Sequence, residues 1–255
     1  MNVRVKFTKT GALRFMGQLD ILRYFQKANR RAGIDAKYSA GYNPHQIMSF
    51  SAPLGLGSTS EGEYMDIEVN TTGSSAEMVR RLNGAMAEGI QVLSWRRLPD
   101  QSKSAMAVTA AADYLLYFRE GYEPEDQEAW IQSFREFYEQ PVIRVIKQTK
   151  KKTEEVDIRP MIHKLEISIE NLAFNPNLVN LSEGEQIALR MELAAGSADN
   201  LKPDLVMEAF CQFLGQEYLP LAVQIHRTEL YAREEAKGDA LGRLISLEDM
   251  GEEIE

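Results

Sequence analysis

The residues best suited to chemistry in this 255-residue chain lie between positions 39 and 64, in "SAGYNPHQIMSFSAPLGLGSTSEGEY". Pro44 forces Asn43 toward extended geometry, and Asn-Pro starts a turn, so His45 is presented at a fixed place. Gly55 and Gly57 permit positive φ or a close backbone approach to a ligand. Tyr42, Asn43, His45, Ser58, Ser60 and Glu63 then form a candidate loop site, with aromatic, amide, imidazole, hydroxyl and carboxylate groups. His45 reads either as a hydrogen-bonded structural residue or as a general acid–base group in an RNA-cleaving site. A metal site needs a second His or Cys nearby, and neither His163 nor His226 can be paired with His45 from sequence. "GLGSTSEG" is no phosphate-binding P-loop, because no Lys follows its glycines in the required place. It is no dinucleotide fingerprint either, since it does not open a helix.

A second kind of chemistry is anion binding. Residues 1–37 hold nine Lys/Arg against Asp20 and Asp35, whereas the chain as a whole carries 29 basic and 38 acidic side chains. Such polarity favours an anionic partner at one end. Arg23, Lys27, Arg30 and Arg31 fall at helical spacing on one stripe, and Arg4, Lys6 and Arg14 extend it toward the first strand. The stripe is either an anion-binding face or an ordinary solvated one. Lys147, Lys150, Lys151 and Lys152 mark a hairpin tip, either a solubilising turn or a further anion contact. Asp157 and Arg159 share one side of an extended segment that Pro160 ends. They read as a structural ion pair, with substrate contact the alternative.

The elements that must hold these groups are legible from periodicity. "VRVKFTK" alternates as a half-buried strand, and Leu19, Ile21, Leu22, Phe25, Ala28 and Ala32 recur at helical spacing, with Gly33 a natural stop. "AKYSA", continued by "QIMSF", and "EYMDIEVN" read as strands, "SSAEMVRRLNGAMAEG" as a helix and "IQVLSWRRL" as a strand. The order is β-α-β-β-α-β, a ferredoxin-like pattern. It recurs in "ADYLLYFRE", a helix carrying Trp130, Phe134 and Phe137, a basic hairpin, "QIALRMELAAGS", "KPDLVMEAFCQFLG" and "LAVQIHRTELYA". The fold expectation is α+β, with two tandem ferredoxin-like domains, the second bearing an insertion. The boundaries are 1–98, a linker at 99–111, a second domain at 112–232 and an acidic, loosely ordered tail at 233–255.

A single cysteine, Cys211, excludes an internal disulfide and any Cys-rich cluster site, and reads as a small buried apolar residue. No apolar run reaches the roughly 18 residues needed to span a bilayer, and the N-terminus lacks a signal-peptide core, so a cytoplasmic location is expected.

The residues Lys9-Thr10-Gly11, Leu13-Arg14-Phe15, Leu19-Asp20, Arg30 to Gly33, Gly41 to His45 and Ser60 to Tyr64, with "VDIRPMI" at 156–162, resemble the bacterial radical SAM-linked proteins. That domain family has no assigned reaction and is encoded beside a radical SAM protein or fused behind its C-terminus. Its members usually carry a histidine just before Leu-Asp; here Gln18 stands there, which suits a polar contact better than catalysis or ligation. The resemblance implies an accessory partner of a radical SAM enzyme. The iron–sulfur cluster and SAM belong to that partner, and no cofactor to this chain. The family's gene neighbours, a ribonuclease and ribosomal proteins, imply structured RNA (tRNA or rRNA) as the anionic substrate. The expected function is a non-catalytic binding module. A ferredoxin-like RNA-processing endonuclease using His45 and a protein-only scaffold are the alternatives.

Overall fold

The computed structural model describes residues 1–148, 153–172, 181, 184–197, 199–234 and 242–255. In chain order its strands and helices are β1 (Asn2–Lys9), α1 (Gln18–Arg31), β2 (Met48–Phe50), β3 (Thr59–Glu68), α2 (Ser75–Asn83), β4 (Val92–Arg97), α3 (Ala105–Val108), β5 (Thr109–Phe118), α4 (Gln127–Glu139), β6 (Arg144–Gln148), β7 (Thr153–Asp157), β8 (Ile162–Leu172), β9 (Gly184–Ala194), α5 (Pro203–Phe213), β10 (Val223–Arg233), β11 (Leu244–Ser246) and β12 (Glu252–Glu253). The chain is mixed α+β, mostly antiparallel sheet with few helices, and divides into two compact units. One comprises Met1–Ala112 with His226–Glu255, the other Asp113–Ile225.

In the first unit the strand order is β12–β4–β1–β3–β10, with β2 on the free stretch of β3 and β11 on β10. Strand β1 runs antiparallel to β3 and to β4, pairing Val5 with Met65 on one side and with Trp95 on the other. Its alternation has a simple cause: Val3, Val5 and Phe7 are at most 2% exposed beneath the helices. Phe25 and Ile21 of α1 and Met78 and Leu82 of α2 complete that core. Phe25 lies 4.7 Å from the Phe7 ring and 5.6 Å from the Phe50 ring, offset and tilted as aromatic quadrupoles prefer. Helix α1 ends where expected, with Gly33 at φ +63 just past it. Helix α2 starts with the Ser74 side chain accepting from Glu77 N–H, and stops at Gly84 rather than Gly89. Leu19, expected on the inner face of α1, is 70% exposed, two residues before Ile21, the first buried position of the helix. "AKYSA" forms no strand, only isolated bridges at Ala36 and Tyr38.

Two expectations for this unit need correction. The 99–111 linker is packed rather than free: Ala105 is fully buried and its N–H donates to Asp66 Oδ2 at 2.7 Å, and β5 begins at Thr109. Residues 242–255, expected to be loose, carry β11 and β12. Strand β12 pairs with β4, and Leu247 is fully buried. A composition rule cannot see this, because the segment is held by a buried leucine, by cations from β1 and β4, and by pairing with β4, all far off in sequence.

The second unit has the order β5–β9–β8, with β6 and β7 as a separate hairpin. Strands β8 and β9 form a long antiparallel ladder from Ile162–Leu193 to Leu172–Gly184. Its core is aromatic: Phe134 and Phe137 of α4 and Phe210 of α5 are each at most 1% exposed. Asp126 caps α4 by accepting from Ala129 N–H, and Pro203 opens α5, where a missing N–H costs nothing. Cys211 is half-buried rather than buried.

Candidate functional site

The basic stripe on α1 survives in reduced form. Arg23, Lys27 and Arg30 are exposed, and no ion pair involves them among the described residues. The only acid on the helix, Asp20, sits in the first turn, where it complements the helix dipole. At the other end, Arg31 donates to Ala85 O at 2.7 Å, while Arg81 of α2 donates to Ala32 O at 2.9 Å and to Gly33 O. Each helix end is thus capped by an arginine from the other helix, which satisfies orphan carbonyls that end the α-helical ladder. Between them lies a concavity of about 470 Å³ lined by Arg31, Arg80, Arg81 and Met86. The stripe therefore runs into a pocket rimmed by three guanidiniums, two of them already partly engaged.

The flanking cations expected to extend the stripe do something else. Arg4 is 1% exposed, and its guanidinium donates to both carboxylate oxygens of Asp66, at 2.8 and 3.0 Å, and to Leu247 O. Lys6 donates to Glu229 at 2.7 Å and pairs with Glu248 at 3.4 Å. Although burial opposes the charged form, these carboxylates leave its pKa raised overall. Both residues face the polar side of β1, as their alternation implies, but the C-terminal segment covers that side. They clamp chain rather than ligand. Arg14 is half-buried, donating to Gly11 O at 3.0 Å with its guanidinium 4.5 Å from the Phe15 ring centre. Lys150, Lys151 and Lys152 lie outside the described residues; Lys147 donates to Asn200 O.

The loop residues expected to act together fall into two groups. Tyr42, Asn43 and His45 are exposed on a turn closed by Ser39 N–H donating to His45 O at 2.8 Å. The imidazole Nδ1 of His45 sits 3.0 Å from Ser39 Oγ, and His45 N–H donates to the same oxygen. Ser58, Ser60 and Glu63 are buried in and before β3. Glu63 is 7% exposed and receives Arg227 of β10, whose Nη2 also donates to Ala52 O. Gly57 does adopt φ +83, and its N–H donates to Arg14 O, so the glycine serves a loop contact.

Periodicity and motif spacing missed the partners that complete this buried cluster, Thr59, His226, Arg227 and Lys9. Strand β10 pairs parallel with β3, His226 opposite Thr59 and Arg227 opposite Ser60. Thr59 Oγ1 lies 2.8 Å from His226 Nδ1, and Glu61 Oε1 lies 3.8 Å from Nε2. The connectivity is that of a hydroxyl–imidazole–carboxylate triad. Thr59 is fully buried, and its contact with His226 bridges β3 and β10. Burial keeps the His226 imidazole below its ordinary pKa, more than Glu61 raises it. Lys9, 4% exposed and donating to Met16 O, is likewise held below the usual lysine range by burial. The one sequence signal for the cluster is "QIHRTE", a run of polar side chains inside an otherwise apolar strand.

Asp157 and Arg159 do not form the ion pair expected of them. Asp157 Oδ1 accepts the N–H groups of Ile143 and Arg159, each at 3.0 Å, and the Arg159 guanidinium lies 4.2 Å from the Tyr138 ring centre. Asp157 ends β7, whereas Arg159 opens a short helical turn at Arg159–Met161. Gln18 and Asp20 are both exposed at the start of α1. Among the described residues no three His, Cys, Asp or Glu side chains gather as metal ligands, and no helix is long and apolar enough to cross a membrane.

Comparison with solved structures finds similarity to a chain in the crystal structure of a Cbf5-Nop10-Gar1 complex. The TM-score is 0.45 and the identity 11%, over 89% of this chain and 48% of that one, so the chain spans about half the length of that neighbour. No curated protein matches the sequence. The sequence model of a bacterial family matches residues 2–203, most of both units. The chain belongs to that family, described as an uncharacterized protein conserved in bacteria (DUF2344).

Proposed function

We propose that the chain is a non-catalytic binding module, built from two ferredoxin-like domains, that partners a radical SAM enzyme and contacts structured RNA such as tRNA or rRNA. The carrying observation is the exposed cation row Arg23, Lys27 and Arg30, which has no acidic partner among the described residues of an otherwise acidic chain. Cations left free in such a chain suit a polyanion, and three or four phosphate contacts give binding that depends steeply on salt. The domain reading is supported in the first unit by two helices on one face of strands ordered β4–β1–β3–β2. In the second it is supported by the succession β5, α4, β8, β9, α5, with β6–β7 as the insertion and only Val223–Ile225 of β10 within the unit. The partnership rests on the sequence resemblance, and it places the iron–sulfur cluster and SAM in the partner.

The test is equilibrium binding of labelled tRNA and of an rRNA fragment between 50 and 200 mM salt, with the wild-type chain and with Arg23→Glu combined with Lys27→Glu. Wild-type affinity should fall by one to three orders of magnitude across that range, and the double variant should bind weakly with a shallower salt slope, by about one unit per lost contact. Binding by the wild type that ignores salt, or equal binding by the variant, sinks the reading. Purification of the tagged chain from its host identifies whether a radical SAM protein accompanies it.

A further inference from the structure

The second unit contains a cavity of about 410 Å³ that none of the preceding argument uses. Its volume lies within the range of small-molecule sites. The rings of Phe118, Tyr122, Trp130, Phe210 and Tyr218 line it. Trp130 anchors this wall. It stacks on Phe134 at 5.2 Å and meets Phe118 and Phe210 edge-on at 5.2 and 5.0 Å, so its position is fixed by packing rather than by a ligand. The Tyr218 hydroxyl is engaged elsewhere, donating to Asp204 Oδ1 at 2.9 Å, which leaves the ring as its contribution to the cavity.

The polar lining is one-sided. Among the described residues Glu125 and Glu217 are the only charged side chains on the wall, both exposed, and no Lys, Arg or His is among them. The chain leading into the cavity, residues 119–128, adds Glu120, Glu123, Asp126 and Glu128 against Arg119 alone. At the rim, Tyr122 is 47% exposed and Leu219 51%, so apolar surface opens to water beside the carboxylates. An anion entering here meets repulsion and, among the described lining residues, no side chain of opposite charge. An ammonium meets carboxylates at the mouth and ring faces inside, where cation–π attraction adds to apolar burial.

We infer that this cavity is a binding site for an organic cation, an ammonium carried on an aromatic or branched apolar body. The apolar body fills the space between Trp130, Phe210 and Tyr218, and the cationic head lies toward Glu125 and Glu217. The site is independent of the basic face on α1 and asks for a ligand of the opposite charge.

The test uses phenethylammonium as the probe and 3-phenylpropionate as its anionic counterpart. Cys211 is the sole cysteine and lines the cavity, so its alkylation by iodoacetamide reports occupancy directly, alongside tryptophan fluorescence. Phenethylammonium should protect Cys211 saturably at millimolar concentration, while 3-phenylpropionate should not. Glu125→Gln combined with Glu217→Gln should weaken protection about fivefold, as expected for exposed charges. Leu219→Lys, at an exposed rim position that leaves the core intact, should abolish it. Equal protection by the two ions overturns the inference, because the cavity is then merely apolar. Absence of protection overturns it too, as does Leu219→Lys protected like the wild type.

Discussion

Arg227 of β10 and Glu63 of β3 lie side by side in the first unit, the guanidinium Nη2 donating to both carboxylate oxygens at 2.6 and 2.7 Å. The side chains are 2% and 9% exposed. The strands pair in parallel at this point, and the 164 residues that separate the two partners make the contact costly in chain entropy. A buried pair of this kind contributes little net stability compared with an apolar pair of the same volume, but breaking it strands a charge. Glu63→Ala should therefore destabilise the first unit by about 3–5 kcal/mol, read from urea unfolding. Replacing both partners, Glu63→Gln with Arg227→Met, should recover at least half of that loss. If the double variant is as unstable as the single one, the pair is not the source of the cost.

The same strand contact explains a glycine that the sequence marks only as part of a polar loop. A Cβ on Gly62 would stand 2.6 Å from Glu229 Cα and 2.6 Å from Thr228 O, both backbone atoms that cannot swing aside. Gly62→Ala should cost roughly 1–3 kcal/mol by overpacking. Gly55→Ala meets only the Ser58 hydroxyl at 3.5 Å and should be nearly neutral. A thermal melt of both variants checks this, and equal melting temperatures would refute the close-approach explanation.

The contrast shows where sequence reasoning reaches and where it stops. Strand β1, helices α1, α4 and α5, and strands β4, β9 and β10 follow from periodicity, because each is a local pattern of side chains meeting one face. Which polar face stays in water is not local. Arg4 and Lys6 alternate correctly with Val3, Val5 and Phe7, and nothing near them announces that Leu247 and Glu248 will cover them. Charge counting therefore assigns them to a ligand-binding patch, whereas Arg4 pairs with Asp66, 62 residues on, and the contacts to Leu247 and Glu229 come from more than 220 residues away. Arg23, Lys27 and Arg30 are exposed on one helix stripe, as their spacing implies, since such a stripe needs no distant element to define it. Ser60 and Glu63 differ from expectation for the same reason as Arg4: hydroxyls and a carboxylate in a Gly-rich stretch suggest a site, and only pairing with β10 buries them.

Lys6 offers a direct check on that correction. Its ammonium bridges Glu229 and Glu248, tying the 3-10 turn at Glu248–Met250 to β1. Lys6→Met should loosen residues 244–253, raising their amide exchange at least tenfold, while leaving the salt dependence of any RNA binding unchanged. Arg23→Glu with Lys27→Glu should do the reverse. A Lys6→Met variant that loses RNA affinity without loosening the C-terminal segment would return Lys6 to the ligand face.

Acid should weaken the first unit through His226. The imidazole is buried against Thr59, and burial holds its folded pKa below the ordinary value of 6.5. As pH falls through 6.5 the unfolded chain takes up the proton first, so the unfolded state binds more protons across this window and stability declines with it. The stability that neutral His226 permits is thus present above pH 6.5 and is lost as pH drops through the folded value. Glu61 cannot reverse this, because at 3.8 Å and 58% exposed it is too distant and too hydrated to offset the burial. His226→Gln retains a group able to hydrogen-bond Thr59 but cannot titrate. Its midpoint of unfolding should be lower than the wild type at pH 8, and the gap should narrow or close by pH 5. Urea unfolding of both proteins at half-unit steps from pH 8 to pH 5 measures the difference, which isolates His226 from the carboxylates common to both. Parallel curves across the whole range would mean that His226 titrates alike in the folded and unfolded chain, and that burial against Thr59 exerts no control over its proton.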